Sequence, residues 1–228
     1  MKYALVTGST RGIGKAIGDQ LTENGYTVFR NGRTPNEKYK YFIRADLSSL
    51  DEVTILADSL LQQTEQIDAI ILNAGATCKK AMNEITPEDW LAVMNTNVTI
   101  PFFLIQRLAE QIAEKGCILF ISSAMSLWPH ATSIPYGVSK AAVNMLAQSL
   151  VKEFSAKQIR VNVICPGFID TDWQRGKPAW LKEKIEGKTA LNRFGTPEEI
   201  ADMCLSILNN PYINGTIVRV DGGYGMMQ

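Results

Sequence analysis

Short runs of aliphatic and β-branched residues recur along this chain and alternate with longer stretches in which apolar residues return every three or four positions. The runs lie at residues 3–6, 27–29, 41–43, 69–72, 117–121, 161–164 and 216–220. Alternation of short apolar runs with helical patterns predicts repeated βαβ units: a seven-stranded parallel sheet, doubly wound, with helices on both faces. Two helix starts are especially legible. Thr86-Pro87-Glu88-Asp89 and Thr196-Pro197-Glu198-Glu199 each place a capping hydroxyl, a proline at the first helical position and an acid at the third. The helical patterns at 87–113 and 134–154 are apolar enough to bury a second face. Residues 168–194 differ: they contain Trp173, Trp180, several Lys and Arg and two glycines, but no strand-like run, which predicts a partly helical lid.

A chain of 228 residues with no low-complexity linker reads as one α/β domain spanning 1–228. Lys and Arg together number 23, as do Asp and Glu, and no block of like charge appears. That balance offers nothing to nucleic acid or an anionic membrane, so a small molecule is the expected partner. Cys78, Cys117, Cys165 and Cys204 show neither CxxC nor metal spacing and read as buried free thiols. No run approaches the length of a membrane span, and the residues before Thr7-Gly8 are too few for a signal-peptide core, so the cytoplasm is the expected compartment.

Two motifs carry chemistry. Thr7-Gly8-Ser9-Thr10-Arg11-Gly12-Ile13-Gly14 follows a strand and opens a helix, as a phosphate-binding βα turn requires, although glycines at this spacing also serve a plain tight turn. Arg11 and Arg33 flank the position where an acid would accept from a ribose 2′-hydroxyl; Phe29-Arg30-Asn31-Gly32-Arg33 has none. Guanidinium groups there suit a 2′-phosphate, which favours NADP(H) over NAD(H), against the alternative that both are solvated surface charges. Far downstream, Tyr136-Gly137-Val138-Ser139-Lys140 puts a phenol and an ammonium on one helical face, where Lys140 can lower the Tyr136 pKa from about 10.

With Asp46-Leu47, Asn73-Ala74-Gly75, Asn97, Ser122-Ser123, Pro166-Gly167 and Val220-Asp221-Gly222-Gly223 in the same order, the chain resembles the short-chain dehydrogenase/reductase family in its compact single-domain branch. The resemblance implies a Rossmann-type fold and a metal-free oxidoreductase that transfers hydride between a nicotinamide and a carbonyl or alcohol carbon. It makes Tyr136 the general acid in reduction and the base in oxidation. Lys140 would bind the nicotinamide ribose, Ser123 would orient the substrate oxygen, and Asn97 would distort its helix and hold a relay water. Ser122 is one residue away and Asn95 two from Asn97, so both neighbours stay open.

For cofactor contacts the resemblance implies Gly8, Ser9, Thr10, Arg11, Gly12, Ile13 and Gly14 around the pyrophosphate, with Arg33 at the 2′-phosphate. Asp46 and Leu47 would meet the adenine; Asn73, Ala74 and Gly75 would line the ribose, although Asn73 can equally cap the sheet. Pro166, Gly167, Ile169 and Thr171, with Tyr136 and Lys140, would surround the nicotinamide. The nearest comparison within the family is 3-oxoacyl-thioester reduction. A homotetramer or homodimer is expected from the same resemblance.

Two features depart from the family's pattern. Residues 34–40 are too few for the helix that usually covers that edge of the sheet. His130, the only histidine, lies in a loop that the fold would bring near the substrate, where it is either a contact or a solvent-exposed side chain. A non-catalytic nucleotide sensor on the same fold is the competing function, and an epimerase or dehydratase would need a larger substrate domain.

Overall fold

The computed structural model describes residues 1–129 and 133–226. Each apolar run forms a strand: β1 (Lys2–Val6), β2 (Tyr26–Gly32), β3 (Phe42–Arg44), β4 (Ile67–Leu72), β5 (Ile112–Ile121), β6 (Arg160–Pro166) and β7 (Ile217–Val220). They pair in parallel in the order β3-β2-β1-β4-β5-β6-β7. The chain steps outward from β1 to β3, then crosses to β4 and continues the other way, so the switch point lies between β1 and β4. Open parallel sheets leave a ligand crevice at the carboxyl ends of such a pair.

Among the described residues seven α-helices accompany the strands: α1 (Gly12–Glu23), α2 (Leu50–Leu61), α3 (Pro87–Met94), α4 (Ile100–Leu108), α5 (Ile134–Glu153), α6 (Ala179–Glu186) and α7 (Pro197–Asn209). Successive strand residues point to opposite faces, and both faces are covered. Ala4, Val6, Ile71 and Leu119 pack with Ile17 and Leu21 of α1 and Ile200, Cys204 and Ile207 of α7. Leu5, Phe29, Ile70 and Phe120 pack on the other side with Leu56 and Leu60 of α2, Leu104 and Leu108 of α4 and Val143 and Ala147 of α5. All four cysteines are buried and free. Among the described residues no helix is long and apolar enough to cross a membrane.

Both proline-led helix starts form capping boxes: Thr86 accepts from the Asp89 amide and Thr196 from the Glu199 amide, and each acid accepts from the amide of its capping residue. The helical pattern at 87–113 is shorter and more broken than its periodicity predicts. It widens into a π turn at Asn95–Thr99, and β5 already begins at Ile112. The strand's register slips after Ile112. Lys115 takes φ +62° in this bulge, and a Cβ on Gly116 would lie 2.8 Å from the Ala113 carbonyl oxygen, so the chain needs glycine there.

Residues 34–40 carry no helix, and the Arg30 guanidinium lies 4.2 Å from the centre of the Tyr39 ring. The 168–194 segment holds a short turn at Asp172–Gln174 and α6. Its two ends are clamped together: Asp170 N donates to Gly195 O at 2.8 Å, Gly195 N donates to Phe168 O at 2.9 Å, and the Phe168 and Phe194 rings stack.

Candidate active site

The glycine turn is built by close backbone approach. Gly8 and Gly12 adopt φ +61° and +53°, a region that strains any residue with a Cβ. Thr7 accepts through its hydroxyl from the Asn73 and Ala74 amides, which ties the end of β1 to the start of the loop after β4. The Asn73 side chain reaches back and donates to the Thr7 and Gly8 carbonyls, both at 3.0 Å, beside the first turn of α1. Asn73 therefore braces the turn, and its neighbours Ala74 and Gly75 line the cleft.

Ser9, expected among the phosphate contacts, is fully buried and outside the cleft wall. Its hydroxyl accepts from the Asn31 amide at 3.0 Å, because the tight turn folds this side chain inward against β2. The residue that motif reading missed here is Asn31. Its oxygen accepts from Gly8 N, and its nitrogen donates to the Ile43 and Ala45 carbonyls, so one buried amide joins the turn to β2 and β3. A buried polar side chain inside an apolar strand was the only available signal.

The candidate proton-transfer group, Tyr136 and Lys140, lies on α5 and lines the same cleft. Tyr136 and Lys140 share one face of the helix and both are buried. Ser123, just past the end of β5, lines the same cleft as Tyr136, and its hydroxyl accepts from Met125 N at 3.2 Å. Ser122 points elsewhere and donates to the Lys140 carbonyl at 3.1 Å. Asn97 stands behind the cleft in the π turn, where the extra residue per turn lets Ile100 N donate to Asn95 O. Its side chain accepts from Ala76 N and donates to Ala76 O and to Ser139 Oγ at 2.8 Å, while Ser139 donates to the Tyr136 carbonyl. Asn97 thus couples the loop after β4 to the turn of helix that carries the tyrosine.

Burial dominates the electrostatics. It pushes the Tyr136 phenol up to about 12, with the Ser123 hydroxyl acting in the opposite sense. It pushes the Lys140 ammonium down to about 8. The spacing predicted that Lys140 would depress Tyr136, whereas burial raises it and Lys140 does not offset that. The lysine nitrogen donates to the Ile121 carbonyl at 2.8 Å and lies 5.7 Å from the tyrosine ring centre. Loss of hydration outweighs a cation held at that distance.

These groups line one cleft of about 1040 Å³ along the carboxyl edge of the sheet. Gly8, Thr10, Arg11, Gly12, Ile13, Gly14, Arg33, Asp46 and Leu47 line it together with Ser123, Tyr136, Lys140, Pro166, Gly167, Ile169 and Thr171, and the two groups meet where a Cβ on Gly12 would lie 3.3 Å from the Thr171 side chain. The cradle fits a dinucleotide: its floor is glycine and backbone, and the start of α1 opens onto it with no acid in its first turn. Arg11 and Arg33 are both exposed, and Arg11 lies 4.0 Å from Asp172 of the 168–194 segment. Lys79, Thr96, Trp173 and Gln174 are among the other lining residues and had no motif to announce them. His130 lies outside the described residues.

A family model described as enoyl-(acyl carrier protein) reductase matches residues 8–225. The 3-oxoacyl-[acyl-carrier-protein] reductase FabG of Aquifex aeolicus is 32% identical over 97% of this chain and 96% of its own. The RhlG/NADP active-site complex of Pseudomonas aeruginosa superimposes with a TM-score of 0.91 at 30% identity, covering 98% of this chain and 96% of that one. A short chain dehydrogenase of Burkholderia cenocepacia in complex with NADP gives 0.90 at 27% identity, covering 97% of each chain. With a family model matching residues 8–225 and a relative 32% identical across nearly the whole of both chains, the chain belongs to the short-chain dehydrogenase/reductase family.

Proposed function

We propose that this protein reduces the carbonyl of a ketone or 3-oxoacyl thioester with NADPH, and oxidises the corresponding alcohol in reverse. The observation that carries this reading is the meeting, in one cleft, of the glycine cradle with Ser123, Tyr136 and Lys140. NADP-bound relatives and a 3-oxoacyl-[acyl-carrier-protein] reductase at 32% identity support it. An intact tyrosine and lysine in a built cleft disfavour a sensor without chemistry.

Bound NADPH supplies the hydride; the residues supply position and the proton. The α1 N-terminus and the Gly8–Gly14 backbone hold the pyrophosphate, with Arg11 near it. Arg33 meets the 2′-phosphate, and no carboxylate stands at the end of β2 to oppose it. Ser123 donates to the substrate oxygen and fixes it against Tyr136. Because the buried phenol keeps its proton far above neutral pH, Tyr136 is already the acid that reduction needs, and it gives that proton to the oxygen as the carbon is reduced. Lys140, when charged, favours the resulting phenolate and binds the ribose hydroxyls. Asn97 and Ser139 keep α5 in register with the loop carrying Gly75 and Ala76.

The assembly in this reading is a homotetramer or homodimer. Leu91, Phe103, Val138 and Met145 of α3, α4 and α5 are exposed apolar side chains on one set of helices, and a monomeric mass by light scattering at micromolar concentration would refute it. The segment at 168–194 serves as a lid, with the exposed Trp173 ring 5.8 Å from that of Tyr136.

The test is oxidation of NADPH and NADH at 340 nm against ketones, 3-oxoacyl thioesters, quinones and sugars, with Tyr136→Phe as control. Turnover of one class that Tyr136→Phe abolishes is expected. Cofactor binding without turnover of any carbonyl would favour the sensor instead.

A further inference from the structure

Ser123 is tied down at both its hydroxyl and its carbonyl. The hydroxyl accepts from Met125 N at 3.2 Å, which occupies a lone pair and leaves the hydroxyl proton free to be donated to a substrate oxygen. The carbonyl accepts twice from one residue, from Ser126 N at 3.0 Å and from the Ser126 hydroxyl. That hydroxyl has a single proton, so toward the Asn144 side-chain nitrogen, 2.8 Å away, it can only accept. The Asn144 oxygen then accepts at 3.8 Å from the thiol of Cys165 in β6, whose sulfur also lies 3.5 Å from the Ser126 oxygen. The donors therefore run one way, from Cys165 through Asn144 and Ser126 to the Ser123 carbonyl.

Asn144 follows Tyr136 and Lys140 at four-residue intervals on α5, so the three share one buried face. Tyr136, Lys140 and Ser123 line the cleft; Ser126, Asn144 and Cys165 do not. An apolar residue at 144 would bury against the sheet as Val143 and Ala147 do. Apolar packing tolerates small shifts, whereas a buried polar chain whose members all find partners holds one geometry. The helix that carries the phenol and the ammonium is thereby tied to the serine turn after β5, an element that otherwise takes its position from the sheet.

We propose that Asn144 is a positioning residue for carbonyl reduction, acting through Ser126 to hold Ser123 in register with Tyr136 and Lys140. This deepens the reductase reading and rests on it for the reaction served. Displacing a reacting group by about 1 Å can cost about 100-fold in rate, so partial release of the Ser123 turn is expected to lower kcat about tenfold.

The experiment uses Asn144→Leu and the milder Ser126→Ala. Each is expected to lower kcat about tenfold on the carbonyl that the parent reduces, with NADPH affinity by fluorescence titration unchanged, since neither residue meets the cleft. The deciding readout is a double-mutant cycle with Ser123→Ala. In that background both substitutions should lose their effect on kcat, because the hydroxyl they position is gone. Losses that multiply with that of Ser123→Ala overturn the proposal and leave Asn144 a purely structural residue; undiminished kcat in Asn144→Leu overturns it as well. If the parent turns over no carbonyl, hydrogen exchange read by mass spectrometry still decides. Faster exchange in Asn144→Leu confined to residues 123–128 supports the positioning of Ser123 while the reductase reading fails, and unchanged exchange there sinks both.

Discussion

Gly14→Ala sets two effects of opposite sign against each other. Gly14 lies in the first turn of α1, where replacing glycine by alanine ordinarily stabilises by about 1 kcal/mol. Here a Cβ would lie 2.4 Å from the Gly8 carbonyl oxygen and 2.4 Å from the Asn73 side-chain nitrogen. The first neighbour is backbone, in a turn held at positive φ, and cannot swing aside. The second can move only by giving up its hydrogen bonds to the Thr7 and Gly8 carbonyls. Overpacking of this kind costs about 1–3 kcal/mol, and two hydrogen bonds at about 1 kcal/mol each add about 2 more. The net expectation is a loss of about 3 kcal/mol after the helical gain is subtracted. Urea unfolding followed by circular dichroism should show a lower midpoint with an unchanged slope. Cofactor fluorescence titration should show weaker NADPH binding, because the turn that yields is the one proposed to hold the pyrophosphate. A variant as stable as the parent, with undiminished NADPH affinity, would refute the view that close packing of α1, Asn73 and Gly8 shapes the cradle.

Three other outcomes are expected. Arg33→Ala should raise KM for NADPH by about 10–100-fold while leaving KM for NADH nearly unchanged, the cost of a lost charged hydrogen bond; parallel steady-state kinetics with the two cofactors check it. Ser139→Ala removes the link from Asn97 to α5 and should lower kcat about tenfold with little change in NADPH affinity, if misplacement of Tyr136 costs about 1.4 kcal/mol at the barrier. Equal losses in both quantities would mean a general loss of fold. Lys140, pushed down to about 8, should give kcat/KM for NADPH an alkaline limb near that pH, and Lys140→Arg should shift the limb upward. The sign for stability follows from proton counting: between about 8 and the usual 10.5 the unfolded chain binds a proton that the folded one has released. Stability therefore rises with pH across that window, and Lys140→Met should remove this contribution.

Much of this molecule is legible from local pattern. Strand runs, the proline-led caps at Thr86 and Thr196, the glycine turn and the pairing of Tyr136 with Lys140 all depend on residues within a few positions of one another. Backbone geometry translates such spacing directly into a face, a cap or a turn. The absence of an acid after β2 is equally local. The fate of Ser9 was not, because whether a hydroxyl in a glycine turn faces a ligand or the core depends on Asn31, 22 residues away, whose amide it accepts from. The Tyr136 and Lys140 proton affinities likewise escaped the motif, since they follow from how completely the surrounding sheet and loops remove water, a property of the assembled core. Short-range sterics and hydrogen bonding can be read along the chain; dehydration and the meeting of distant polar groups arise only when the sheet, α5 and the loops after β1 and β4 close around the same space.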